Sequence, residues 1–299
     1  MRPRLPSWFR RPLPPGAEGG RVKRLLGHLD LHTVCEEAKC PNRSACWHDS
    51  AAAFLILGDA CTRDCRFCAI PHDAHPAPPD PGEPARLAEA AAAMGLRHVV
   101  VTSVTRDDLP DGGAAHFAAT IREIRARLPG ATVEVLVPDF QGDFDALELV
   151  LAARPDIFNH NLETVERLQP SVRPQADYRR SLAVLRHASQ AGARTKSGLM
   201  LGLGETAAEL SASLRDLRDA GVSLLTLGQY LAPSAAHWPV ERFVPPAEFD
   251  RWRDEALALG FASVSSAPHV RSSYHAEELA AFPAVPSSHS SIVPIPVSP

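Results

Sequence analysis

Three cysteines, Cys61, Cys65 and Cys68, fall within the stretch "DACTRDCRFCAI" (59–70), separated only by small polar and charged residues and one phenylalanine. Thiolates select soft metals, and sets made only of cysteine favour zinc or iron–sulfur clusters. A structural zinc ion takes four ligands, and a disulfide framework takes an even number. Each of the four irons of a [4Fe–4S] cube needs one ligand beyond its sulfides, so three thiolates leave one iron open to a substrate or cofactor. A Cys3His zinc site completed by His72 has acceptable spacing as well. A second triplet, Cys35, Cys40 and Cys46 in "TVCEEAKCPNRSAC", lies just upstream. All six cysteines fall within 34 residues, and none is left for core packing.

In a reducing compartment clustered cysteines point to metal or catalysis before disulfides. The longest apolar run, 51–57, is too short to cross a bilayer, and no secretory h-region follows the N-terminus; a cytoplasmic protein without membrane contact is expected. The first 24 residues carry +6 (Arg2, Arg4, Arg10, Arg11, Arg21, Lys23 and Arg24 against Glu18), whereas the rest of the 299-residue chain carries −10. A basic arm on an acidic body suits a negatively charged partner or a solvated terminus. Nucleic acid is disfavoured by the acidic body and by the lack of an aromatic-basic platform.

These cysteines need elements to position them, and the rest of the chain supplies an alternation. "AAAFLIL" (51–57), "RHVVVTSV" (97–104), "ATVEVLVP" (131–138), "DIFNHNL" (156–162), "ARTKSGLMLGL" (193–203), "SLLTLGQYL" (223–231) and "FASVSSA" (261–267) read as strands. Between them, helices are expected over 82–95, 114–130, 144–153, 178–192, 206–221 and 246–259. Alternation of this kind predicts an α/β fold with a parallel sheet, a partial (β/α)6 TIM-type barrel of six units. N- and C-terminal extensions flank it, with chemistry at the C-terminal strand ends. The divisions are residues 1–50, a barrel over 51–266, and a C-terminal segment 267–299 whose Pro/Ser-rich end "PAVPSSHSSIVPIPVSP" is expected to be disordered. Gly202-Leu203-Gly204 lacks the full dinucleotide-binding fingerprint.

The C-x3-C-x2-C loop after the first barrel strand resembles the radical S-adenosylmethionine (SAM) superfamily. Together with the C-x4-C-x5-C triplet, "VTSVTRDDLPDGGAAHF", "VEVLVPDFQGD", "NHNLETV", "KSGLMLGLGET", "LTLGQYL" and "VRSSYHAEEL", it resembles the lipoyl synthase family from about residue 8 to residue 277. That resemblance implies two [4Fe–4S] clusters. One, on Cys61, Cys65 and Cys68, binds SAM at its open iron. The other, on Cys35, Cys40 and Cys46, is an auxiliary cluster whose last iron takes a serine from Arg271-Ser272-Ser273-Tyr274, the matching position being Ser273. The implied reaction is radical insertion of two sulfur atoms, drawn from the auxiliary cluster, at C6 and C8 of an octanoyl-lysine.

The implied partners are octanoylated lipoyl carrier domains of 2-oxoacid dehydrogenase E2 subunits or of the glycine-cleavage H protein, with a ferredoxin or flavodoxin as electron donor. A monomer is the expected state, and Arg10 and Arg11 are expected to help dock the carrier. For SAM, the strand ends offer Thr102 and Ser103 to its amine, Asn161 and Glu163 to ribose, and Gln229 and Tyr230 around adenine. Asp107 and Asp108 are expected either to mark a helix entry or to pair with arginines, because hydrogen abstraction by a radical needs no acid–base pair. His32, His48, His160 and His269 are expected to be hydrogen-bonding residues.

Overall fold

The computed structural model describes residues 5–10, 18–48, 51–274 and 276–280. Arg2, Arg4, Arg11 and the Pro/Ser-rich tail lie outside them. The β-branched run of the second expected strand becomes β3 (His98–Ser103). Val99 and Val101 pack outward against helices, while His98 and Thr102 turn to the other face. It belongs to a sheet of eight strands in sequence order. The others are β1 (His32–Thr33), β2 (Ala53–Ile56), β4 (Thr132–Leu136), β5 (Ile157–Asn159), β6 (Thr195–Leu201), β7 (Leu224–Gln229) and β8 (Ser263–Ala267). β1 runs antiparallel to β2, and all the later neighbours pair in parallel. β2 and β8 do not pair, so the barrel is open on one side.

Three helices precede β2: α1 (Glu18–His28), α2 (Val34–Glu37) and α3 (Arg43–His48). Crossovers are made by α4 (Glu83–Ala93), α5 (Ala114–Arg127), α6 (Phe144–Ala152), α7 (Gln169–Val172) with α8 (Tyr178–Gln190), α9 (Ala207–Asp219) and α10 (Pro246–Ala258). A short α11 (Ala276–Ala280) ends the described chain. Local signals fix the starts. Asp143 and Asp177 cap α6 and α8, and Thr206 with Glu209 forms a capping box on α9. Outward strand residues and crossover helices share two large apolar clusters, one around β2–β4 and one around β6–β7.

Part of the N-terminal region departs from its reading as a solvated terminus while keeping its basic side chains exposed. Residues 18–28 form a helix that buries Val22 and Leu26 and leaves Arg21, Lys23 and Arg24 at the surface. Phe9 packs its ring against Phe243 at 5.7 Å and His269 at 5.2 Å.

The open side is covered by the chain after β8. Ala276 packs with Ala53 of β2 and Val100 of β3. The preceding turn lies so close to β7 that a Cβ on Gly228 would stand 2.1 Å from the Val270 carbonyl oxygen. Gly228→Ala should therefore push the C-terminal segment off the sheet at a cost of about 1–3 kcal/mol. A Cβ on Gly130 would meet nothing within 4 Å, so Gly130→Ala should stay within about 0.5 kcal/mol of the parent. Urea unfolding of the two variants checks the difference.

Candidate active site

β2 delivers the chain to the first cysteine triplet through a tight exit. Leu57 (φ 69°) and Gly58 (φ 94°) adopt left-handed backbone. The Leu57 N–H donates to Glu83 Oε2 at 2.9 Å, and its carbonyl accepts from Arg106 Nη1 at 3.2 Å. Beyond it, the loop is stitched to other strand ends. Thr62 N donates to Thr105 O (3.0 Å), Arg66 N to Val172 O (2.9 Å) and Trp238 N to Arg66 O (2.8 Å). Cys61 Sγ itself accepts from the N–H groups of Arg63 and Thr105 at 3.4 and 3.3 Å.

Arg63, between the first two cysteines, anchors the loop from beneath. Its buried guanidinium makes two hydrogen bonds to Asp107 (2.7 and 2.9 Å) and one to Asp139 (2.6 Å), which also receives Arg180 at 2.8 Å. Burial opposes charge on Asp139, but Arg63 outweighs it and holds the carboxyl well below the usual carboxylate range. Asp108 makes a matching double contact with Arg106, at 2.8 Å for each bond. The expected arginine-pairing of both aspartates is thus present, and it ties the ends of β2, β3 and β4 together.

A cavity of about 460 Å³ opens above these strand ends. Cys61, Cys65, Cys68, Cys35, Cys40 and Ser273 all line it, whereas Cys46 stands outside the lining on α3. Among the described residues, no three His, Cys, Asp or Glu groups converge on a single ion position. The thiols instead surround a space, as a multi-iron cluster requires. His72 does not line this cavity, which tells against the Cys3His zinc alternative; its Nδ1 lies 3.2 Å from the Cys61 carbonyl. Burial pushes the Cys35 and Cys65 thiols up, and Cys68 up to about 12. A site so unfavourable to bare thiolate accepts that form only against compensating positive charge, which iron supplies. The donor set fits a cluster.

Ser273 reaches the cavity because its segment is tied at several points. Asn42 Nδ2, from a residue between Cys40 and Cys46, donates to the His269 carbonyl at 2.7 Å, and Lys196 Nζ donates to the Ser272 carbonyl at 2.7 Å. Tyr274 N bonds Arg271 O at 3.0 Å and closes a turn around Ser272 and Ser273. Burial pulls the Arg271 guanidinium down, while the facing Cys40 and Glu163 oppose that shift.

All six residues expected to receive SAM line the cavity, but their side chains are differently employed. Thr102 Oγ1 donates to Leu136 O at 2.9 Å. Asn161 Nδ2 donates to Glu163 Oε1 at 3.0 Å. Enclosure raises the pKa of Glu163, with Arg173 and Asn161 opposing, and its backbone is left-handed at φ 67°. Tyr230 lies in an apolar group with Leu203, Met200, Phe67 and Trp238, and its hydroxyl donates to Trp238 O at 2.7 Å. Gln229 departs most from expectation. Its amide nitrogen donates to the carbonyls of Leu201, Tyr230 and Arg242, and its oxygen accepts from Val244 N at 2.7 Å. That side chain is spent on pinning the 242–244 loop, which leaves Tyr230 as the aromatic wall. By contrast, Ser103 Oγ, Asn161 Oδ1, His160 Nε2 and Arg173 Nε are buried atoms without a protein partner, on residues that line the cavity. Donors and acceptors mixed in this way suit a polar, zwitterionic ligand.

The comparisons with known proteins agree with this geometry. Residues 55–217 match the family model of the radical SAM superfamily, and residues 1–40 match that of the N-terminal domain of lipoyl synthase. The chain is 54% identical over 275 residues to a lipoyl synthase of Rubrobacter xylanophilus, covering 91% of this chain and 85% of that one. It is 58% identical to one of Methylococcus capsulatus, covering 93% and 87%. The chain belongs to the lipoyl synthase family. In fold it is similar to a methylornithine synthase (TM-score 0.52, 14% identity, 83% of this chain and 81% of that one). It is also similar to HydG, a maturase of the [FeFe]-hydrogenase (TM-score 0.53, 16% identity, 71% and 55%).

In this member of the lipoyl synthase family, Arg63 and Arg173 line the cavity although sequence reasoning did not single them out, and His160, expected as a hydrogen-bonding residue, lines it as well. Only Arg63, flanked by two thiolates, carried a local signal. His160 hydrogen-bonds Val137 O at 2.8 Å, and burial depresses its pKa to about 4. The unfolded chain therefore takes up that proton first, near the ordinary 6.5. Stability present above pH 6.5 should decline by on the order of 3 kcal/mol as pH falls to about 4, with Asp139 adding to the loss at lower pH. Urea unfolding of the metal-free chain at pH 7 and 4.5 should show this slope, and His160→Gln should flatten it.

Proposed function

We propose that the chain converts a protein-bound octanoyl-lysine into its lipoyl form by inserting sulfur at C6 and C8, with a [4Fe–4S] cluster on Cys35, Cys40, Cys46 and Ser273 consumed as the sulfur substrate. The observation that carries this reading is one cavity lined by thiols of both triplets and by Ser273. It occurs in a chain more than half identical to lipoyl synthases over nine-tenths of its length. Residues 1–50 and 267–299 then act as extensions that bring the auxiliary site to a barrel of 51–266.

When bound to Cys61, Cys65 and Cys68, a reduced cluster with SAM supplies a radical that abstracts hydrogen from unactivated carbon. The chain's own residues bind, orient and shield. The N–H groups of Arg63 and Thr105 aim at Cys61 Sγ. Ser103, Asn161, His160 and Arg173 offer the unpaired polar atoms for SAM, Thr102 and Glu163 stand beside them, and Tyr230 with Gln229 behind it closes the adenine side. The apolar group around Tyr230 keeps water from the reacting centre.

The carrier substrates are the octanoylated lipoyl domains of 2-oxoacid dehydrogenase E2 subunits and the glycine-cleavage H protein. A ferredoxin or flavodoxin supplies electrons to this monomeric, cytoplasmic enzyme. No helix among the described residues is long and apolar enough to cross a membrane. Exposed Arg10, Lys23 and Arg24 provide positive charge for an acidic carrier, and Arg11 lies outside the described residues.

Protein reconstituted anaerobically with isotopically labelled sulfide should hold about eight irons, cleave SAM on reduction and place the label in the lipoyl product. Unlabelled product would sink the reading. In the same assay Ser273→Cys should keep its iron yet lose turnover, because a thiolate would not release the cluster as an alkoxide does. Carrier binding should weaken with added salt and lose much of that dependence in Arg10→Ala/Arg11→Ala; titration across ionic strengths checks it.

A further inference from the structure

Lys196 is fully buried in the barrel interior, yet it does not line the cavity. Its ammonium donates to Glu134 Oε1 at 2.7 Å and to the Ser272 carbonyl at 2.7 Å. Glu134 is in turn held by Asn159 Nδ2 at 3.2 Å and faces His98 Nε2 at 3.3 Å. Burial alone favours the neutral acid at Glu134, but Lys196 and His98 outweigh it and keep the carboxyl below its ordinary range. An ion pair in such a place contributes little net stability, and apolar residues of similar size serve packing as well or better. What methionine could not do at position 196 is grip a carbonyl on the C-terminal segment. The carbonyl gripped is that of Ser272, adjacent to Ser273. A second tie on the same segment, Asn42 to His269 O, comes from between two cysteines of the auxiliary triplet.

We propose that Lys196 is a positioning residue for the auxiliary site: with its charge balanced by Glu134, it holds the Ser272 carbonyl and so sets the reach of Ser273 toward Cys35 and Cys40. This rests on the reading of Ser273 as the fourth ligand. Lys196 acts through the backbone and touches neither cluster nor substrate. It is the point at which the barrel core dictates where the C-terminal extension presents its hydroxyl.

The test uses the full-length chain with Cys61, Cys65 and Cys68 replaced by alanine, so that all bound iron after reconstitution belongs to the auxiliary site. Iron release to an external chelator is timed, and stability is measured in parallel by urea unfolding. Lys196→Met/Glu134→Gln removes the tether without leaving a buried charge. Iron release should quicken about ten- to hundredfold, the usual effect of losing an outer partner of a metal ligand. Ser273→Ala should quicken it similarly, and the combined variant should be no faster than either.

Glu134→Gln alone strands the Lys196 charge and should be the less stable protein, yet it keeps the Lys196–Ser272 contact and should release iron within about threefold of the parent rate. Lability would then follow the tether and not stability. Parent-like release from Lys196→Met/Glu134→Gln, additive effects with Ser273→Ala, or release that tracks stability across both variants would each overturn the proposal while leaving the ligand reading intact. Parent-like release from Ser273→Ala would remove that reading, and the proposal with it.

Discussion

A parallel sheet that stops before closing leaves edge strands with unpaired backbone groups, and something else in the chain must cover them. Here β2 and β8 never meet. β1 takes one edge as an antiparallel strand, and the chain after β8 lies over the gap, with Ala276 seated on Ala53 and Val100. Much of what distinguishes this molecule follows from that incomplete closure. The opening gives the barrel interior room for a cavity, and the two segments that cover it carry Cys35, Cys40 and Ser273 to its wall. Covering the edge and furnishing the second set of donors are one structural act.

The interior of the barrel is divided by depth. At the lower level, His98, Glu134, Asn159 and Lys196 hydrogen-bond to one another and take in the Ser272 carbonyl, with His98 Nδ1 and Asn159 Oδ1 left over. At the strand ends, Arg63, Asp139 and Arg180 form a second closed network beneath the cysteine loop. Between and above them lie atoms without partners, on Ser103, His160, Asn161 and Arg173. Paired charge gives the frame rigidity, whereas the partnerless polar atoms on residues that line the cavity are the ones a ligand could engage. Thiols raised by burial line the same cavity, so loading with metal and folding of this region are thermodynamically coupled.

The strands of the barrel were legible because runs such as "VVVTS" and "VEVLV" have strong β propensity and alternate with amphipathic helices of ordinary length. For Asp107 and Asp108 the sequence left a helix entry and arginine-pairing open, and the contacts with Arg63 and Arg106 choose the second. α1 was not, since three glycines and a dense run of basic residues dilute the Val22–Leu26 pattern that buries it. Nor was β1, which is two residues long. The hydrogen bonds of Gln229 were hidden for a different reason: its partners at 242 and 244 lie in a loop whose return to β7 no local pattern announces. Arg173 and Lys196 share that difficulty, for each meaning resides in a distant carbonyl or carboxylate. The cysteine spacings, by contrast, needed no tertiary knowledge to suggest clusters.

The Asn42–His269 hydrogen bond joins residues 227 positions apart. A growing polypeptide presents the upstream cysteines early and must wait for almost the whole barrel before their C-terminal counterpart emerges. Such late, long-range closure is slow, and it exposes reactive sulfur while it is pending. Until the last segment comes home, Asn42 and the cysteines on either side of it lack the tie that the folded chain gives them.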